Sequence, residues 1–149
     1  MPTNIEKFDE LAANVFANLY ENFPVRISLF ENTFGYDLSH KTSADGGVIF
    51  NAPADYAFFT DTLKWLRMAG YIDFPTSASG PWGNAVLTAK GLEVLKAAPS
   101  SISPSQPMGD YLAQGIRSGA KVAVSKGITY VLSQGASLAW HAITTGAGS

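Results

Sequence analysis

Two histidines, His40 and His141, and twelve carboxylates are the groups in this 149-residue chain that could hold a metal or move a proton. The histidines lie far apart, and neither stands at metal-ligand spacing from another histidine or a carboxylate cluster. Asp37 and His40 are near enough in sequence to touch across a turn, an arrangement that is most often surface hydrogen bonding. There are no cysteines, which removes disulfide frameworks, thiolate metal sites and cysteine nucleophiles. No nucleophile elbow, P-loop or dinucleotide fingerprint is present. GPWGN and ADGG read as turns rather than phosphate cradles. The residues therefore predict a protein that is not an enzyme and uses no metal or cofactor.

What remains are charges and aromatics, and the elements that position them. With 46% hydrophobic and 15% charged residues, the chain is long enough for one domain with a core, plus an appendage. The N-terminal MPTNIEKFDELAANVF lacks the basic and apolar regions of a secretory signal. No continuous apolar run is long enough for an ordinary transmembrane helix. A cytoplasmic protein is expected, and membrane association is not expected to be its mode of action. Up to Ala98 there are seven Lys/Arg against eleven Asp/Glu, a balance of −4; from Pro99 onward the balance is +2. An acidic body is a poor partner for phosphate backbones.

Ile5, Phe8, Leu11, Ala12, Val15, Phe16, Leu19 and Tyr20 recur at helical spacing, Thr3 and Glu6 form a capping-box pair, and Pro24 ends the run. VRISLF fits a short strand or a short helix. SADGG, between YDLSH and VIFN, predicts a hairpin. A helix over about Ala54 to Ala69 carries a core stripe of Tyr56, Phe59, Leu63 and Leu66, with Gly70 placed to end it. YIDF and AVL then read as strands flanking the turn-rich TSASGPWGN, and Thr88 as the cap of a short helix through Leu92 and Leu95. PSSISPSQP, residues 99–107, is a linker by composition.

The order helix, uncertain middle, helix, hairpin and LTxKGxxxL resembles the winged-helix family of helix-turn-helix domains. FFTDTLKWLRMAGYI is similar to the second half of that motif, and AVLTAKGLEVL to the strand closing the wing and the helix after it. The resemblance covers residues 3–98 and implies a mainly α fold with a small β-hairpin. It also implies that Asp55 to Ala69 is the recognition helix. Thr60, Lys64 and Arg67 then become the candidate nucleic-acid contacts, on the face away from the core stripe. Asp61 shares that face, and the wing TSASGPWGN holds no cation. Lys64 and Arg67 read equally well as an exposed solvated pair.

Phe58 and Trp65, seven residues apart, form a second aromatic strip that either the insertion, the tail or a partner protein must cover. Trp82, at the hairpin tip, is the single best candidate for an exposed contact. From residue 108 to 143 small residues recur every four positions: Gly115, Gly119, Ala123, Gly127, then Gly135 and Ala139. Such stripes let helices approach closely, and because each Gly weakens a helix by about 1 kcal/mol against Ala, this tail needs packing. Two helices with a break near Lys126–Gly127 are expected, a hairpin about residues 125–127 being the alternative. The packing partner is the domain, another copy of the tail or lipid. The chain reads as an interaction or regulatory module acting through a protein partner or homo-oligomer, with DNA binding the alternative and membrane action a weaker third.

Overall fold

The computed structural model describes residues 2–75, 83–102 and 105–147, with side chains as far as residue 137. Among these, five α-helices and two small antiparallel sheets make a mainly helical architecture. Helix α1 (Asn4–Asn22) starts at the predicted capping box: Thr3 Oγ1 accepts from the Glu6 N–H at 3.1 Å, and Glu6 accepts from the Thr3 N–H at 2.9 Å. Leu11, Val15, Phe16 and Leu19 are buried along it. Ile5, expected on the same face, is 70% exposed, because the first turn stands outside the packed part of the helix.

VRISLF is neither a full strand nor a helix. Ile27 makes one antiparallel bridge to Ala85, Leu29 is buried, and a single 3₁₀ turn follows at Glu31–Phe34. The hairpin expected at SADGG is present, with β1 (His40–Thr42) paired to β2 (Val48–Phe50). Asp45 closes its turn by accepting from the Gly47 N–H. Helix α2 (Pro53–Met68) then buries Phe59, Leu63 and Leu66 completely.

Gly70 ends α2 at φ +90°, a conformation that costs a residue with a Cβ. The Gly70 N–H bonds the Arg67 carbonyl and the Tyr71 N–H bonds the Leu66 carbonyl, each at 3.0 Å, which is the Schellman pattern. Strand β3 (Ile72–Asp73) leaves this turn and pairs with β4 (Val86–Leu87), Ile72 opposite Leu87. Helix α3 (Ala89–Lys96) begins at the Thr88 cap, whose hydroxyl accepts from the Gly91 N–H at 3.1 Å.

The TAKG segment does more than start α3. It satisfies three successive carbonyls at the end of α2. Lys90 Nζ donates to the Ala69 carbonyl at 2.7 Å, the Thr88 hydroxyl donates to the Gly70 carbonyl, and the Thr88 N–H donates to the Tyr71 carbonyl at 3.1 Å. Lys90 also lies over the Tyr71 ring, 4.3 Å from its centre. Gly91 is required by this approach, since a Cβ there would stand 2.2 Å from the Tyr71 oxygen.

The tail forms two helices, α4 (Met108–Ser118) and α5 (Lys121–Ala147). Their break falls at Gly119, φ +71°, and not at Lys126–Gly127, and residues 125–127 are helical rather than a hairpin. The reason is packing: Gly127 stays inside α5 because the missing side chain admits Leu112 and Tyr111 of α4. In the 99–107 segment Ile102 is buried, and the Met108 N–H that follows it bonds to the Ala97 carbonyl at 2.9 Å. Met108, Leu112, Ile128 and Val131 are fully buried in the same cluster as Phe16, Leu66 and Tyr71. Each such burial is worth about 1.5–3 kcal/mol, enough to offset the weak helix propensity of the glycines.

Two tail glycines seat tyrosines of the body. A Cβ on Gly109 would lie 2.4 Å from the Tyr20 ring, and one on Gly135 would lie 2.2 Å from the ring and hydroxyl of Tyr71. The Tyr71 hydroxyl donates to the Leu132 carbonyl of α5 at 2.8 Å.

Gly91→Ala is expected to destabilise the chain by about 1–3 kcal/mol in urea unfolding, although Ala is the better helix former. An unchanged midpoint would mean that α3 shifts without cost. Tyr71→Phe should cost about 1 kcal/mol through the lost bond to Leu132. Gly135→Ala should cost about 1–3 kcal/mol beside Tyr71. In a Tyr71→Leu background most of that second loss should vanish, which a double-mutant cycle reads directly.

Candidate interaction surface

The outward stripe of α2 is built by residues at spacings of three and four: Asp61, Lys64, Trp65 and Met68, all exposed. Met68 is 76% and Trp65 41% exposed. Phe8 of α1 meets Trp65 edge-on with ring centres 5.4 Å apart. Ile5 stands one turn before Phe8 on α1, and Met68 stands one turn beyond Trp65 on α2. The expected aromatic strip is therefore divided. Phe58 is covered by Tyr36 of the insertion, their rings nearly parallel at 5.9 Å, with Lys7 Nζ 4.5 Å from the Phe58 centre. Burial, with the negative charges of Glu10 and Asp55, pushes the Tyr36 phenol above its ordinary value. Trp65 keeps one face toward solvent.

The nucleic-acid candidates fare differently from one another. Thr60 is corrected: it is 2% exposed, and its hydroxyl donates to the Tyr56 carbonyl at 2.8 Å. It follows Phe59 and precedes Leu63 by three residues, which places it on the flank of the core stripe and not opposite it. Arg67 bends toward β3, its Nε donating to the Phe74 carbonyl at 3.0 Å and lying 3.9 Å from Asp73. Arg26 reaches Asp73 from the other side at 3.1 Å and also donates to the Asn84 carbonyl. Lys64 is the cation of the α2 stripe that has no ion pair among the described residues, and Asp61 lies one turn before it.

Three of the six tail candidates are used within the chain. Gly115 faces Val124, Gly127 faces Leu112 and Tyr111, and Gly135 faces Tyr71. Ala123 is half-buried, while Gly119 is the exposed exit of α4 with nothing near its missing Cβ. Trp82 lies outside the described residues, as does the side chain of Ala139.

The Asp37–His40 contact is not formed. Asp37 instead accepts from the N–H and hydroxyl of Ser39, which hold its carboxyl below the usual range, and His40 packs edge-on against Phe50 at 5.5 Å. Among the described residues no group of three His, Asp or Glu side chains could hold a metal ion. No described helix is long and apolar enough to cross a membrane.

The sequence pattern did not reveal Met68 and Ile5 as exposed apolar groups, nor Lys90 as a half-buried cap for α2. A signal for Lys90 was present: it follows Thr88 by two residues, just after a strand that must return to the Gly70 turn. Compared with known proteins, the chain matches no family model, no curated protein and no solved structure.

Proposed function

We propose that the chain is a non-enzymatic interaction module of winged-helix type, acting in the cytoplasm, whose partner is a protein met along the α1–α2 edge. The element order supports the fold reading: α1, the Ile27 bridge, α2, then a hairpin closing on α3, with Ala85 joining Ile27 as a third short strand position. The observation that carries the functional reading is the chemistry of the α2 stripe. It turns Trp65 and Met68 outward while Asp73 engages both neighbouring guanidiniums. A surface built for phosphate keeps its cations free and clusters them. Here an aromatic anchor with flanking Met and Ile has the composition of an interface centre. Gly115, Gly127 and Gly135 of the tail pack within the chain's own core, which favours the α1–α2 edge over the stripe as the contact surface.

A photo-crosslinking amino acid at position 68 tests this in cells. The expected result is one discrete adduct that disappears when Trp65→Ala is added, with the circular dichroism of both proteins unchanged. An adduct at twice the chain mass identifies a second copy as the partner. Absence of any adduct from position 68 contradicts the reading.

The DNA alternative has its own measurement. The parent chain is expected to show no duplex binding at low salt. Asp73→Asn, which releases Arg26 and Arg67, should gain weak binding that falls as salt rises. Salt-sensitive binding by the parent would favour the DNA reading instead.

A further inference from the structure

A groove of about 800 Å³ runs between the N-terminal half of α1 and the α4–α5 turn, on a surface separate from the Trp65 stripe. Its volume is that of a small-molecule site. One wall carries Glu6, Asp9 and Glu10 of α1, and the other carries Lys121 and Lys126 of α5. Ile116, Val122 and Val124 supply apolar surface, and Val122 is 84% exposed. Asn14 donates to the Glu10 carbonyl and Thr129 to the Ser125 carbonyl, each at 2.8 Å, and one Glu6 oxygen accepts from the Thr3 N–H of the cap. Ser125 adds a neutral hydroxyl beside the charges of the two walls.

Opposite charges face each other across this groove without meeting. The ion pairs among the described residues are Arg26–Asp73, Arg67–Asp73 and Arg117–Glu21, so neither lysine lies within 4.0 Å of an acid of α1. Burial and the nearby Glu6 raise the Asp9 carboxyl above its ordinary value. A ligand that places an ammonium on the α1 wall and a carboxylate on the α5 wall, with an apolar spacer between, would satisfy both. A ligand with one charge would satisfy one wall and be repelled by the other.

We propose that this groove binds an ammonium–carboxylate zwitterion with an apolar spacer, oriented amine toward Glu6, Asp9 and Glu10 and carboxylate toward Lys121 and Lys126. The test is amide-shift titration of the full chain by NMR with three probes: 6-aminohexanoate, hexanoate and hexylammonium. The zwitterion is expected to shift amides of both walls and to bind at least tenfold tighter than either single-charge probe. The Lys121→Gln/Lys126→Gln variant, at exposed positions and checked for an unchanged thermal midpoint, should lose at least tenfold for the zwitterion. It should bind hexylammonium no worse than the parent does. Equal response to the three probes, shifts confined to other surfaces, or no shifts at all would overturn the proposal.

Discussion

Three adjacent carbonyls, those of Ala69, Gly70 and Tyr71, set the geometry on which the rest of the chain depends. A helix that ends inside a domain leaves carbonyls without intrahelical partners, and burying them unpaired costs about 1–3 kcal/mol each. Here their donors come from one short segment twenty residues downstream in sequence: Lys90, the Thr88 hydroxyl and the Thr88 N–H. That requirement fixes where α3 starts. It also brings α3 so close to the Tyr71 oxygen that the facing residue must be Gly91. The β3–β4 pairing is the connection this arrangement permits, since Ile72 and Leu87 flank the docked segment directly. Tyr71 then extends the same constraint outward, its ring touching Phe16 at 5.6 Å and Lys90 at 4.3 Å, and its hydroxyl reaching α5.

The tail follows from the same logic. Seating a helix against a tyrosine ring leaves no room for a side chain, so glycine is favoured at Gly109 and Gly135 despite its poor helix propensity. Read from spacing alone, Gly135 belonged to a stripe suited to close helix approach, and the structure agrees about the closeness at that position. The partners are α1 and the α2–β3 turn of the same chain. Four-residue spacing cannot distinguish one helix partner from another, because it encodes only the absence of bulk.

Other features were legible because their physics is local. The Thr3–Glu6 box, the Gly70 exit, the SADGG turn and the Thr88 cap each depend on residues within a few positions, and each is found as expected. Features that depend on distant chain were not legible. Thr60 is buried because elements far away in sequence cover the flank of α2, and Arg67 is drawn inward by Phe74 and Asp73. A helical wheel gives direction without saying how wide the covered sector is, and Thr60 lay at its edge. The exposure of Ile5 is the converse: a periodic apolar position that the fold leaves uncovered. The candidate interface was thus half visible, with Trp65 recognised from its type and Met68 hidden by its resemblance to core.

If the carbonyl–TAKG docking and the Tyr71 seat join the tail to the body, α5 and the α2–α3 region form one cooperative unit. Native-state hydrogen exchange in low denaturant tests this most directly. The slowest amides of α5 between Ile128 and Val131 should exchange with the same free energy and denaturant dependence as those of α1 near Phe16 and of α2 near Leu66. If the α5 amides open by several kcal/mol less than those of α1 and α2, the tail is an independent appendage and the Tyr71 seat does not join it to the body.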